Sequence, residues 1–113
     1  MLPFDLSKFD IGQAMDMVKK VQARMAEVET MLRRIEIETE VGGGMVSVRA
    51  NAAGEIIALT ISAEAIAMQD AAVLGSLVLS GVNQALTLAR ERREEEQRKA
   101  SMGMIPGLGG LLP

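Results

Sequence analysis

Glu36, Glu38 and Glu40 alternate with Ile37 and Thr39, which places three carboxylates on one face of an extended segment. Carboxylates at such spacing can do acid–base work or hold a hard cation, but the chain has no histidine to support either role. Like charges so placed repel one another and stay solvated, and an exposed, protective strand face is the reading the spacing favours. Gly42-Gly43-Gly44 follows at once. A phosphate loop would continue into Lys-Ser or Lys-Thr and open a helix, whereas these glycines join two strand-patterned stretches and read as a turn. The serines lack a histidine to activate them, and cysteine, tyrosine and tryptophan are absent. No catalytic residue, cofactor-binding residue or metal ligand is expected, and the chain does not read as an enzyme.

Charge is the chemistry that remains. Lys19, Lys20 and Arg24 in one stretch, and Arg90, Arg92, Arg93, Arg98 and Lys99 in another, are candidates for contact with the phosphates of duplex DNA. They are equally the residues of an ordinary solvated helix face, since Glu91, Glu94, Glu95 and Glu96 offset most of the second group. The formal net charge of −3 argues against a simple polycation. The distribution says more than the sum. Residues 8–34 carry Lys8, Lys19, Lys20, Arg24, Arg33 and Arg34 against Asp10, Asp16, Glu27 and Glu29, a net +2, and residues 90–99 a net +1. Residues 35–89 carry Arg49 against Glu36, Glu38, Glu40, Glu55, Glu64 and Asp70, a net −5. Aromatics are only 2% of the chain, so binding of single strands by base stacking is disfavoured.

These charges must be positioned by regular elements. Ile11, Val18, Met25 and Leu32 recur every seven residues, with Ala14, Val21, Val28 and Ile35 three residues behind them. All eight positions are apolar, with charged and polar residues between. This is a heptad, predicting a helix of about 37 Å whose narrow seam packs on another helix or across a dimer. Ile35, Ile37, Thr39 and Val41 then alternate with the glutamates as a first strand. Val46, Val48 and Ala50 alternate with Ser47, Arg49 and Asn51 as a second, Asn51-Ala52-Ala53-Gly54 turns, and Ile57, Leu59 and Ile61 mark a third. Ser62 to Ile66 is short enough for only a turn or one helical turn. Asp70 caps a second long helix with an apolar face of Leu74, Leu77, Val78, Gly81, Ala85 and Leu88. From Arg90 to Lys99 no apolar stripe survives, and Glu94–Arg98 and Glu95–Lys99 support an exposed helix end projecting from the body.

At 113 residues the chain is one domain, residues 1–100, followed by a flexible Gly/Pro/Met/Leu tail, residues 101–113, broken too often for a regular helix. The aromatic-poor core would leave a lone monomer marginal. No leader is expected at the N-terminus, and no stretch approaches the ~18 apolar residues of a membrane span. A soluble, cytoplasmic protein with no membrane partner and no small-molecule substrate is therefore expected.

Glu40-Val41-Gly42-Gly43-Gly44-Met45-Val46-Ser47-Val48-Arg49-Ala50-Asn51 together with Ile57-Ala58-Leu59-Thr60-Ile61 resembles the corresponding meander of the YbaB/EbfC family of bacterial nucleoid-associated proteins. Leu77 through Ala89, with Asn83 and Ala85 in place, and Met102-Gly103-Met104-Ile105-Pro106-Gly107-Leu108 extend the resemblance over nearly the whole chain. The family turn often reads Asn-Gly where this chain has Asn51-Ala52-Ala53-Gly54, and the glycine-rich lead of relatives is replaced by Met1 to Lys8. The resemblance implies an α+β fold of long helix, three-stranded antiparallel meander and long helix. It implies an intertwined homodimer whose strands join across the two-fold axis while the helices project like tweezers. It also implies binding of double-stranded DNA by those helices, with a role in nucleoid organisation or gene regulation. DNA contact carries over only as the basic positions named above. The competing reading is a dimeric protein-interaction scaffold that does not touch DNA.

Overall fold

The computed structural model describes residues 10–104. Asp10 opens the first helix: its Oδ1 accepts hydrogen bonds from the N–H groups of Gly12 (2.9 Å) and Gln13 (3.3 Å), two of the donors a helix start leaves unpaired. Helix α1 (Ile11–Arg34) ends with Arg33 and Arg34 at the negative end of its dipole. Strands β1 (Glu36–Val41), β2 (Val46–Asn51) and β3 (Ile56–Ile61) follow, then a single turn α2 (Ala63–Ala67) and the long helix α3 (Ala71–Met104). Ser62 caps α2 and Asp70 caps α3, each through its side-chain oxygen.

The sheet is an antiparallel meander in the order β1-β2-β3. Gly42, Gly43 and Gly44 all have positive φ, the conformation only glycine adopts without strain, and carry the first reversal. The register pairs Ile37 with Ala50, Thr39 with Val48 and Val41 with Val46, so the apolar residues of β1 and β2 share one face. Helix α3 lies on that face. Leu74, Leu77, Val78, Val82 and Ala85 pack against Val41, Val46, Val48 and Ala50. Gly81 permits the approach, since a Cβ there would stand 3.0 Å from Val48 Cγ2.

Four features depart from the sequence reading. Ile57, Leu59 and Ile61 form the expected third strand but remain exposed, because α3 rests on β1 and β2. Leu88 is also exposed, and the buried residue at this level of α3 is Ala89. The charged segment after Arg90 does extend beyond the sheet, but alongside α1: Ala100 is buried with Val28, Leu32 and Ala52. Finally, residues 71–89 carry no charged side chain, and α3 is long and apolar enough to cross a membrane by length and composition. Ser76, Ser80, Asn83, Gln84 and Thr87 hide this in a residue-by-residue count, and the helix uses one apolar face as the cover of the sheet. Helix α3 takes in residues 101–104 of the expected tail, and residues 105–113 lie outside the described residues.

The whole is long and thin, 75 × 30 × 25 Å. Its largest fully buried side chains are Leu32, Val46 and Val48. Leu32 joins α1, α3 and the β2–β3 turn, so Leu32→Ala should destabilise the fold by about 2–5 kcal/mol, measured as a lowered midpoint in urea denaturation.

Candidate nucleic-acid interface

Helix α1 runs into the sheet at the Asn51–Gly54 turn, and α3 runs out past the same turn, so the two are antiparallel and form an arm. The turn is the joint. The N–H of Ala52 donates to the carbonyls of both Leu32 (3.1 Å) and Ile35 (2.9 Å), which fixes the end of α1. Asn51 is buried and closes the turn on Glu55: its Nδ2 donates to Glu55 Oε1 (3.0 Å), and its Oδ1 accepts from the Glu55 N–H (3.1 Å). Glu55 also meets Arg33 at 3.8 Å.

Arg93 ties the arm together. Its Nη1 donates to the Ala53 carbonyl (3.0 Å) and its Nη2 to Glu29 Oε2 (3.1 Å), so one half-buried guanidinium joins α3, α1 and the turn. The planar fork of arginine suits this double role, and lysine could not reproduce it. Glu29 and Ala53 escaped the sequence reading. Glu29 lies beside the heptad seam, but nothing in the sequence marks a backbone carbonyl 40 residues away from Arg93 as a companion acceptor.

The eight basic positions fall into two sets. Arg24 pairs with Glu27 (3.3 Å), Arg92 with Glu96 (3.2 Å), Lys99 with Glu95 (3.3 Å) and Glu96 (3.6 Å), and Arg93 with Glu29. Lys99 holds the Glu95 carboxyl below the usual carboxylate range through its hydrogen bond and its charge. Lys19, Lys20, Arg90 and Arg98 are exposed and have no ion-pair partner among the described residues. Arg34, outside the sequence-derived set, is in the same condition. The expected Glu94–Arg98 pair is absent among the described residues, while Glu95–Lys99 forms. Arg90 and Arg93 line a shallow cleft with Ala52, Gly54 and Leu86, where the arm meets the sheet.

Of the heptad seam, only Val28 and Leu32 are buried within the chain; Ile11, Val18, Val21 and Met25 are exposed. The opposite face of the sheet is acidic. Glu36 approaches Arg49 (3.8 Å) and Glu38 accepts from the Ser47 hydroxyl (3.2 Å), as expected of a solvated strand face. Among the described residues no group of three His, Cys, Asp or Glu side chains could hold a metal ion. Arg93→Ala should loosen the arm by about 1–2 kcal/mol, the value of a charged hydrogen bond discounted for partial exposure. Hydrogen exchange should quicken in residues 25–34 and 86–100 while the β1–β2 hairpin keeps its protection.

A solved structure shares this architecture. An uncharacterized protein from Helicobacter pylori superposes with a TM-score of 0.70 at 22% identity, over 80% of this chain and 96% of that one, a likeness of fold. Among curated relatives, a nucleoid-associated protein of Anaeromyxobacter dehalogenans is 39% identical over 102 residues, which is 89% of this chain and 99% of the relative. A nucleoid-associated protein of Thermodesulfovibrio yellowstonii is 36% identical over 107 residues, 94% of each chain. One from Campylobacter fetus is 33% identical over 103 residues, 91% of this chain and 94% of the relative. The family model that matches spans residues 7–104, arm and sheet together, and this chain belongs to the YbaB/EbfC DNA-binding family.

Proposed function

We propose that the protein is a nucleoid-associated homodimer that binds double-stranded DNA through the phosphates, using the basic residues of its arms. The observation that carries this reading is the set of exposed cations without acidic partners among the described residues: Lys19 and Lys20 on α1, and Arg90 and Arg98 on α3. From Arg90 to Met104, α3 is about 21 Å long. One strand of a duplex carries a phosphate per ~3.4 Å of axis, so such an arm spans about six phosphates. Contacts of this kind hold DNA without reading its sequence, which suits organisation of a nucleoid or broad gene regulation. The names of the relatives support a place at the bacterial nucleoid, and hence in the cytoplasm.

Dimerisation is proposed from β3. It is an edge strand with Ile57, Leu59 and Ile61 exposed, a surface that invites pairing with another strand unless it is covered. A second copy supplies that cover and doubles the number of arms. Leu59→Glu places a charge in that surface, and the mass measured by light scattering should fall from two chains to one. A mass of one chain for the unchanged protein at high micromolar concentration would remove the dimer from the reading.

Fluorescence anisotropy on a labelled duplex, titrated at several salt concentrations, tests the DNA contact. Log affinity should fall linearly with log salt, and Lys20→Ala should flatten that slope by about 1, the share of a single neutralised phosphate. The neutralised half of the basic set, together with the acidic sheet face, favours the scaffold reading instead. No binding at low salt by a confirmed dimer would establish that alternative.

A further inference from the structure

Helix α1 packs into the fold only near its C-terminal end. Val28 and Leu32 are buried in one cluster with Ala100, but on the same stripe Met25, Val21, Val18 and Ile11 are exposed by 43, 46, 47 and 69%. Met15 and Met17, on opposite flanks of the stripe, are exposed as well. A groove lined by Met17, Lys20, Val21 and Arg24 follows one flank. Asp10, Met17 and Arg24 stand seven residues apart along that flank, so a carboxylate marks one end of the uncovered stripe and a guanidinium the other.

A charge arrangement of this kind complements itself when the helix is reversed. Two copies of α1 laid antiparallel and centred at the level of Asp16 bring each Ile11 to Val21 of the second copy, and each Ala14 to Val18. Asp10 then faces Arg24 of the second copy, and symmetry repeats the pair. Asp10 caps α1 through Oδ1 and has no ion pair among the described residues, so its carboxylate is available. Arg24 is engaged only by Glu27, in an exposed pair that is readily exchanged. The two Met17 side chains meet near the axis, where a flexible thioether fills an irregular gap. Other alignments fit less well. A centre half a heptad further along would set Ile11 of the second copy against Val28, which already packs with Ala100, and a parallel pair would crowd both chains at that same level. The contact is about 21 Å long and one helix, about 10 Å, wide, well short of the ~800 Å² per partner of a stable interface. It therefore forms where copies are already concentrated. We propose that the N-terminal half of α1 is a self-docking surface, pairing antiparallel with α1 of a second copy through Ile11, Ala14, Val18 and Val21, with Asp10 and Arg24 fixing the register. This surface is separate from β3, so dimers joined at β3 would be linked to one another through their arms. The pairing itself depends neither on the β3 contact nor on DNA.

The chain has no cysteine, so an introduced pair reports without interference. In the full-length chain at high micromolar concentration, Ile11→Cys with Val21→Cys should give disulfide-linked chains under mild oxidation, and mass spectrometry should find position 11 joined to position 21. These positions lie about 15 Å apart on one helix, beyond the ~7 Å between Cα atoms that a disulfide spans, so the link must join two chains. Links of 11 to 11 and 21 to 21 would mean a parallel pair and overturn the proposal. Free thiols would overturn it too, assigning the stripe to another segment of the same chain or to solvent. Val18 is half-exposed in the single chain, so adding Val18→Glu leaves the fold intact while burying a charge in the pair. That addition should cut the linked fraction by about tenfold, and an unchanged yield would reduce the links to random collision and overturn the proposal.

Discussion

One helix has to cover two surfaces in succession. Over the sheet, α3 meets Val41, Val46, Val48 and Ala50; past the β2–β3 turn it meets α1 through Arg93 and Ala100. A helix with its side chains is about 10–12 Å wide and neighbouring strands lie about 4.8 Å apart, so one helix shelters about two strands. The third strand is left over. Leu59 pairs with Val48 and Ile61 with Val46, so both share the buried face in register yet stand beyond the reach of α3. The exposed β3 surface thus follows from how few elements the chain has, and the dearth of aromatic side chains leaves no large ring to extend the cover.

The arm depends on the same helix for a different reason. Its apolar contact is slight, built on Val28, Leu32, Ala52 and Ala100, and polar bonds complete it. Arg93 is bound at two points of its fork and is half-buried, so releasing it to a phosphate would leave Glu29 and the Ala53 carbonyl without their partner. Arg24, Arg92 and Lys99 are in a different situation. The Arg24–Glu27 pair is exposed on both sides and worth roughly 0–1 kcal/mol, so exchanging that glutamate for a phosphate costs little. Arg92 and Lys99 instead share Glu96, whose side chain is only 12% exposed and would lose its partners. The arm therefore holds one arginine that keeps its shape, two cations held by the largely hidden Glu96, one loosely engaged arginine, and a further set with no acidic partner among the described residues.

What could be read from the sequence follows the range of the interactions involved. The strands, their glutamate face, the Asp70 cap and the glycine reversal depend on neighbours within a few residues, and each was legible, whereas the Asp10 cap was not read. Of the heptad stripe on α1 the chain itself buries Val28 and Leu32, and how far that cover runs depends on contacts with α3 that no heptad contains. The bifurcated hydrogen bond of Ala52 to the end of α1 and the Arg93 fork join segments far apart in sequence, and Glu96 serves Arg92 and Lys99 together beside the expected Glu95–Lys99 pair.

An acidic protein in a DNA-binding family poses an electrostatic question that its shape resolves. The negative charge is concentrated in residues 35–89, with Glu36, Glu38 and Glu40 on the outer face of the sheet, and the basic residues lie along the arm of a molecule 75 Å long. Screening at 0.1 M salt confines an exposed charge to about 10 Å. A duplex against the outer arm would then interact with Lys19, Lys20 and Arg98 and hardly with Glu36, Glu38 and Glu40. The net charge of −3 governs solubility and self-repulsion, whereas the local field governs contact. Elongation, which the thin core makes unavoidable, is what keeps these two roles of charge apart.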